Sequence, residues 1–328
     1  MKVLVTGASS LLGRRTAEAL LARGDDIVCF QRHPAGLETA EVLGDIRDVA
    51  LVAKAAAGCD AIIHAAAKVG VVGGWSEYRS INVDGTAAVI EAARRNDVRS
   101  VVHVSTPSVA HSGHAIVGAG AEPAVTGRTG AWYAESKAFG ERLALAAASG
   151  ELAVVVIRPH LVWGPGDTQL VGRIVERARA GRLALVGKGA ALIDTTYIDG
   201  AASALVAAVD AARHGARCVG RAYVIANGEP RPIRELVLGI CSAAGLDMKP
   251  HQVPRRIALL AGSGCERLWR LRRATTEPPL TRFLAEQLGT AHWFDPRPAR
   301  DDLGWAPTVT IDEGLERLAE WFRSGVPA

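Results

Sequence analysis

Five short apolar runs, each followed by a turn and then an alanine-rich stretch of helical period, constrain the fold of this 328-residue chain most. They are Val3–Thr6, Asp26–Phe30, Ala61–Ala65, Ser100–Val104 and Ala153–Arg158. Each is apolar almost throughout rather than alternating, the pattern of strands covered on both faces. Helix candidates at about 12–23, 48–57, 76–95 and 131–149 lie between them. This alternation predicts an α/β chain with a doubly wound parallel sheet. Ligands of such sheets bind beyond the carboxyl ends of the strands, so functional residues are expected just after each strand.

The second half is less regular, punctuated at Gly164-Pro165-Gly166, Pro230, Pro250, Pro254, Pro278-Pro279 and Pro296. We expect a dinucleotide-binding domain over 1–168 and a smaller mixed C-terminal substrate-binding or lid region over 169–328. Segments 194–213 and 221–226 are expected to return to the main sheet. Apolar residues make up 49% of the chain, enough for a packed core. The formal charge of +4 is far below that of a nucleic-acid binder, so no nucleic-acid partner is expected. Five dispersed cysteines without C-x-x-C spacing read as reduced thiols, and no metal is expected. With no targeting segment and no long apolar run, the expected location is cytoplasmic.

After the first strand comes Thr6-Gly7-Ala8-Ser9-Ser10-Leu11-Leu12-Gly13. It approximates T-G-x-x-G-x-x-G, in which glycines let backbone approach a pyrophosphate at a helix N-terminus. Here Gly7, Ser9, Ser10, Leu11, Leu12 and Gly13 are the candidate contacts. Ser10 replaces the middle glycine, at some expected cost in backbone freedom. The second strand ends in Gln31-Arg32, where an NAD site would carry an acid for the adenosine ribose. Arg32, reinforced by Arg14 and Arg15, can instead meet a 2′-phosphate, so NADP(H) is preferred and NAD(H) remains open; the alternative is a solvated arginine. Asp45 can accept from adenine while Ile46 packs on the ring, with Asp48 better placed to cap the next helix. Ala65-Ala66-Ala67 lets backbone come close to the cofactor.

Tyr133 and Lys137 are four residues apart on one helical face. A nearby ammonium favours the ionised phenol, making Tyr133 a candidate acid/base. The pair lies 27 residues after Thr106, at the end of the strand expected over Ser100–Val104. Thr6-Gly7…Gly13, Asp45, Asn82-Val83-x-Gly85-Thr86, Ser105-Thr106, Tyr133-x-x-x-Lys137 and Arg158-Pro159…Gly164-Pro165-Gly166-Asp167 resemble, in order, the extended short-chain dehydrogenase/reductases. That resemblance covers the whole chain and implies a Rossmann-type fold. It also implies catalytic Thr106, Tyr133 and Lys137, with Lys137 on the nicotinamide ribose and Pro159, Leu161 and Val162 beside the nicotinamide. The run Arg158–Asp167 is similar to the 3β-hydroxysteroid and sterol-4-carboxylate dehydrogenase branch. Ser105–Val109, Glu266–Trp269, Glu277–Leu284 and His292–Phe294 look like the 2-alkyl-3-oxoalkanoate reductases of bacterial long-chain olefin biosynthesis. This implies NADPH-dependent reduction of a long-chain β-keto acid to the β-hydroxy acid, ahead of β-lactone closure. A dinucleotide-sensing regulatory protein is the alternative of another class, and a complete Thr106, Tyr133 and Lys137 set argues against it.

A β-keto acid needs a cation for its carboxylate. Lys68 and His160 are the candidates, Thr106, Ser108 and Tyr133 are further expected substrate contacts, and the alternative is a solvated Lys68 with a structural His160. The chain has 32 arginines against six lysines, and six arginines fall within 255–273 among Ile, Leu and Trp. This stretch reads as a lid over a lipid-like substrate, a peripheral membrane contact or a docking face for other pathway enzymes; a plain packed helix pair is the alternative. A homodimer is also allowed.

Overall fold

The computed structural model describes residues 1–111, 113–127, 131–213, 216–271 and 280–325. Its main sheet comprises β1 (Lys2–Thr6), β2 (Asp26–Gln31), β3 (Ala40–Leu43), β4 (Ala61–His64), β5 (Ser100–Val104), β6 (Ala153–Pro159) and β7 (Arg221–Ile225). The order is β7-β6-β5-β4-β1-β2-β3, with every neighbouring pair parallel. Sequence direction reverses between β1 and β4, which opens a crevice at their carboxyl ends. The chain therefore has the doubly wound, Rossmann-type fold.

The helices are α1 (Leu11–Ala22), α2 (Val49–Ala56), α3 (Trp75–Arg79), α4 (Gly85–Arg95), α5 (Trp132–Ala146) and α6 (Val171–Arg179). They continue as α7 (Ile198–Arg213), α8 (Ile233–Ala243), α9 (Arg255–Leu271), α10 (Arg282–Leu288), α11 (Arg297–Leu303) and α12 (Ile311–Arg323). Leu4, Ile62, Val101 and Val154 point to one face of the sheet, under α2, α4 and α5. Val3, Val5, Ile63, Val102 and Val155 point to the other, under α1, α7 and α11. Alternate residues thus feed two cores, which is why these strands are apolar at every position.

The stretch read as one helix over 76–95 is interrupted by a π-turn at Ser80–Asp84. The edge strand β3 carries Ala40, Glu41 and Leu43 exposed, so it lacks the doubly buried signature of the others. A second, mixed sheet runs Arg231–Pro232, Leu192–Ile193, His292–Phe294, Ile116–Ala119. Its last strand comes from the first half of the chain, because the segment after β5 leaves the main sheet to pair with His292–Phe294. A third core, with Trp163, Ile174, Ile240 and Leu318, joins α6, α8 and α12.

Candidate active site

At the end of β1 the chain turns at Gly7, whose φ of +75° is left-handed. A Cβ there would lie 2.8 Å from both Cα and N of Ala66, and one at Gly13 would lie 2.2 Å from the Gly7 carbonyl oxygen. Only hydrogen fits at either point, so backbone from β1 and β4 stays close together at the switch point. Ser10 has an extended φ of −84° and caps α1, its hydroxyl accepting from the Gly13 amide at 3.2 Å. The same hydroxyl donates to the Gly7 carbonyl at 2.7 Å. Glycine is not needed at this position, and the serine ties the turn instead of straining it. Ser9 and Ser10 are exposed, Leu11 and Leu12 half-buried, and the Ala66 amide donates to Thr6 Oγ1 at 3.2 Å, fixing the Ala65–Ala67 strip.

Arg32 is exposed and has no ion-pair partner among the described residues. Arg14 is engaged by Glu18 at 3.0 Å and donates to the Ala35 carbonyl at 2.8 Å, while Arg15 pairs with Asp199 at 2.6 Å. Arg32 is therefore the free guanidinium of the three. The Asp45 carboxylate is held by both Nε and Nη2 of Arg47, at 2.8 and 2.6 Å, which pulls its pKa down to about 2. Ile46 is buried, within 2.8 Å of a Cβ built at Gly85.

Tyr133, at the first turn of α5, lies beside Thr106, which follows β5 and favours the ionised phenol. Lys137, one turn on, is buried and donates from Nζ to the Val104 carbonyl at 2.5 Å. Burial pushes the Tyr133 phenol up to about 12, with Thr106 beside it opposing, and pulls Lys137 down to about 8 against the charge of Glu141. The expectation that Lys137 lowers the phenol's pKa is corrected here. Desolvation dominates, and Tyr133 is a protonated donor at neutral pH.

Lys68 is ion-paired with Glu77 at 2.9 Å and sits 5.1 Å from the Tyr78 ring centre. Its ammonium is thus already committed. His160 Nδ1 lies 2.5 Å from the Asp194 carbonyl oxygen, and its ring meets Phe294 edge-on at 5.0 Å. Burial lowers its pKa to about 4, so it is a neutral imidazole at neutral pH. Ser108 accepts from Gln287 of α10 at 3.3 Å, which links the turn after Thr106 to the C-terminal helices. Beside Pro159, Leu161 holds a φ of +44°, rare for a branched residue. Val162 starts a two-residue strand paired with Thr196–Tyr197.

Asn82 and Arg158 stood in the sequence motifs, but their contacts, and His103, were not read from the sequence. Asn82, inside the π-turn, accepts from the Lys68 amide at 2.7 Å and donates to the Lys68 carbonyl and Ser136 Oγ, at 3.0 and 2.9 Å. Arg158 forms a two-point, fully buried ion pair with Glu141 of α5 and donates to the Glu122 carbonyl at 2.7 Å. His103 on β5 is buried with neither ring nitrogen partnered among the described residues, 5.3 Å from the His64 ring. The i, i+4 relation of Lys137 and Glu141 adds a local signal for the Arg158 partner beside the motifs that hold Asn82 and Arg158. Of the C-terminal stretches noted above, 272–279 lies outside the described residues.

A doubly wound sheet with a backbone cradle at its switch point and, on α5, a half-buried Tyr133 one turn from a buried Lys137 defines an oxidoreductase of the nicotinamide-dinucleotide type. The glycine-bounded cradle, the α1 N-terminus and the buried Lys137 amine fit that group. Residues 3–226 match the NAD dependent epimerase/dehydratase family, and the chain belongs to it, among the extended short-chain dehydrogenase/reductases. The chain is 47% identical over 324 residues to a 2-alkyl-3-oxoalkanoate reductase of Stenotrophomonas maltophilia, covering 97% of this chain and 98% of that one. A Shewanella oneidensis protein of the same name is 37% identical, over 96% of this chain and 84% of its own. A 3-beta-hydroxysteroid dehydrogenase of Mycolicibacterium neoaurum is 30% identical, over 98% and 91%. The fold also matches UDP-glucuronic acid 4-epimerase from Bacillus cereus, with a TM-score of 0.76 at 20% identity and full coverage of both chains. The chain is a reductase-type enzyme acting on a small molecule with a nicotinamide dinucleotide.

Proposed function

We propose that the enzyme reduces long-chain 2-alkyl-3-oxoalkanoates to 2-alkyl-3-hydroxyalkanoates, with NADP(H) preferred over NAD(H). The observation that carries the reaction type is the half-buried Tyr133 phenol beside Thr106, one turn from the buried Lys137 amine. The substrate class follows from the 47% identical relative. We take 1–168, with 194–213 and 221–226, as the cofactor half and the remaining 169–328 as the substrate half. The β-hydroxy acid would then pass to a β-lactone-forming step of olefin synthesis.

In this mechanism Gly7, Ser9 to Gly13 and Ala65 to Ala67 hold the pyrophosphate and ribose, and Pro159, Leu161 and Val162 border the nicotinamide. Asp45 and Ile46 meet the adenine. When bound, the reduced nicotinamide supplies hydride to the ketone carbon. Thr106 and Tyr133 polarise the ketone oxygen, and Tyr133, protonated at neutral pH, gives it the proton. Lys137, still largely an ammonium at neutral pH, would hold the nicotinamide ribose and help return a proton to Tyr133 through its hydroxyl. Ser108 and His160 line the substrate side. Lys68, held by Glu77, contributes position rather than a free charge for the carboxylate.

Initial rates of NADPH oxidation with a 2-alkyl-3-oxo acid, a 3-ketosteroid and a nucleotide sugar test the reading. The keto acid should dominate kcat/KM, and faster turnover of the ketosteroid would overturn the substrate assignment. Arg32→Ala should raise KM for NADPH about tenfold or more, the loss of one charge-assisted contact, and leave NADH unchanged. Equal effects on both would remove the 2′-phosphate role.

A further inference from the structure

Helix α9 has two different sides. Its inner side packs on α10 so closely that a Cβ at Gly262 would lie 2.6 Å from the Arg282 amide nitrogen. Its outer side carries Ile257, Leu260 and Leu268, 55%, 74% and 40% exposed, with Ala261 and Gly264 between them. These positions follow i, i+3, i+4, i+7, i+11 and make one stripe along a helix about 25 Å long. Arg256 and Arg267, both exposed, lie on one flank of it, near its two ends. Neither they nor Arg255 has an acidic partner among the described residues. The helix's one acid, Glu266, is half-buried and accepts from the Arg282 amide at 2.9 Å.

We propose that this outer face of α9 docks on an anionic lipid bilayer surface. The aliphatic stripe enters the headgroup boundary while the flanking guanidiniums meet lipid phosphates. No helix among the described residues is long and apolar enough to cross a membrane, so the contact is peripheral. Charge favours this occupant over a second copy of the chain. A two-fold contact sets each patch against itself, and a patch with arginines and no outward acid repels its copy. The same helix presses on α10, whose Gln287 reaches Ser108 beside Thr106. Docking would therefore set the roof of the active site on the surface where an apolar two-chain acid partitions.

The test is flotation of the full-length protein with vesicles of phosphatidylglycerol and phosphatidylcholine, or of phosphatidylcholine alone. It needs no substrate, so its outcome stands apart from the reaction assigned above. Binding is expected on the anionic vesicles only, and lost in high salt. Each basic residue at such a surface contributes about fivefold in partitioning. Arg256→Glu with Arg267→Glu should therefore weaken binding at least about tenfold, and Ile257→Ser with Leu260→Ser should weaken it even in low salt. Both variants should keep wild-type turnover of a short soluble keto acid, which shows that they fold. Absence of vesicle binding overturns the proposal, as does binding that both variants retain. Loss of self-association in the variants without loss of vesicle binding would assign the face to a second copy instead.

Discussion

Replacing Arg158 by methionine removes a guanidinium that ties three segments together at the floor of the active site. The Arg158 and Glu141 side chains are 2% and 1% exposed. Arg158 Nε donates to Glu141 Oε2 at 2.9 Å, Nη2 donates to Oε1, and Nη1 donates to the Glu122 carbonyl at 2.7 Å. Methionine fills similar space without charge, so the main effect is an uncompensated carboxylate in the core. Breaking a buried pair from one side costs about 3–5 kcal/mol, a large share of a typical total of about 5–15 kcal/mol. Lys137, whose pKa Glu141 already raises, is the nearest relief and would take part of that carboxylate's field. Removing both charges, as Arg158→Met with Glu141→Leu, should cost under about 1 kcal/mol, since apolar replacement of a buried pair is often neutral. Urea unfolding of wild type, both single variants and the double variant gives the coupling energy. A single variant within about 0.5 kcal/mol of wild type, or a double variant as unstable as the two singles added, would refute the reasoning.

Acid should unfold the protein well above the carboxylate range. Burial holds His64 and His292 at about 3 and His160 at about 4, and depresses His103 as well. Below pH 6.5 the unfolded chain takes up protons that these imidazoles refuse, and each removes about 1.4 kcal/mol of stability per pH unit. Asp194, raised to about 6, opposes them by one such increment between pH 6 and 4. The urea midpoint should fall steeply from pH 6.5 to 5, and a flat midpoint there would contradict the burial. Gly7→Ala must move backbone, with φ at +75° and Ala66 2.8 Å away, so NADPH affinity should drop at least about tenfold by fluorescence titration. An unchanged Kd would show that the cradle is not at Gly7.

Strands β1, β2, β4, β5 and β6 were legible because both faces of each are buried, leaving no polar alternation to misread. Edge strand β3 was hidden by its exposed side chains, and the π-turn at Ser80–Asp84 by apolar spacing that runs on through it. The second sheet was illegible for another reason: Ile116–Ala119 pairs with His292–Phe294 far along the chain. Within the candidate site, local spacing marked Tyr133 with Lys137, and the fold brings Thr106 to them. The Asn82–Ser136, Arg158–Glu141 and Gln287–Ser108 contacts join segments that only folding makes neighbours. Lys68 was read as a free cation because its partner Glu77 stands nine residues away on the next helix.

The most direct test compares wild type with Tyr133→Phe, using NADPH and a 2-alkyl-3-oxo acid. The wild-type enzyme should oxidise one NADPH for each β-hydroxy acid formed. The variant keeps the ring and loses the proton, so kcat should fall about 100-fold or more while Kd for NADPH stays within about twofold. A wild-type enzyme that leaves the keto acid unreduced, or a variant that turns it over at the wild-type rate, would contradict the account.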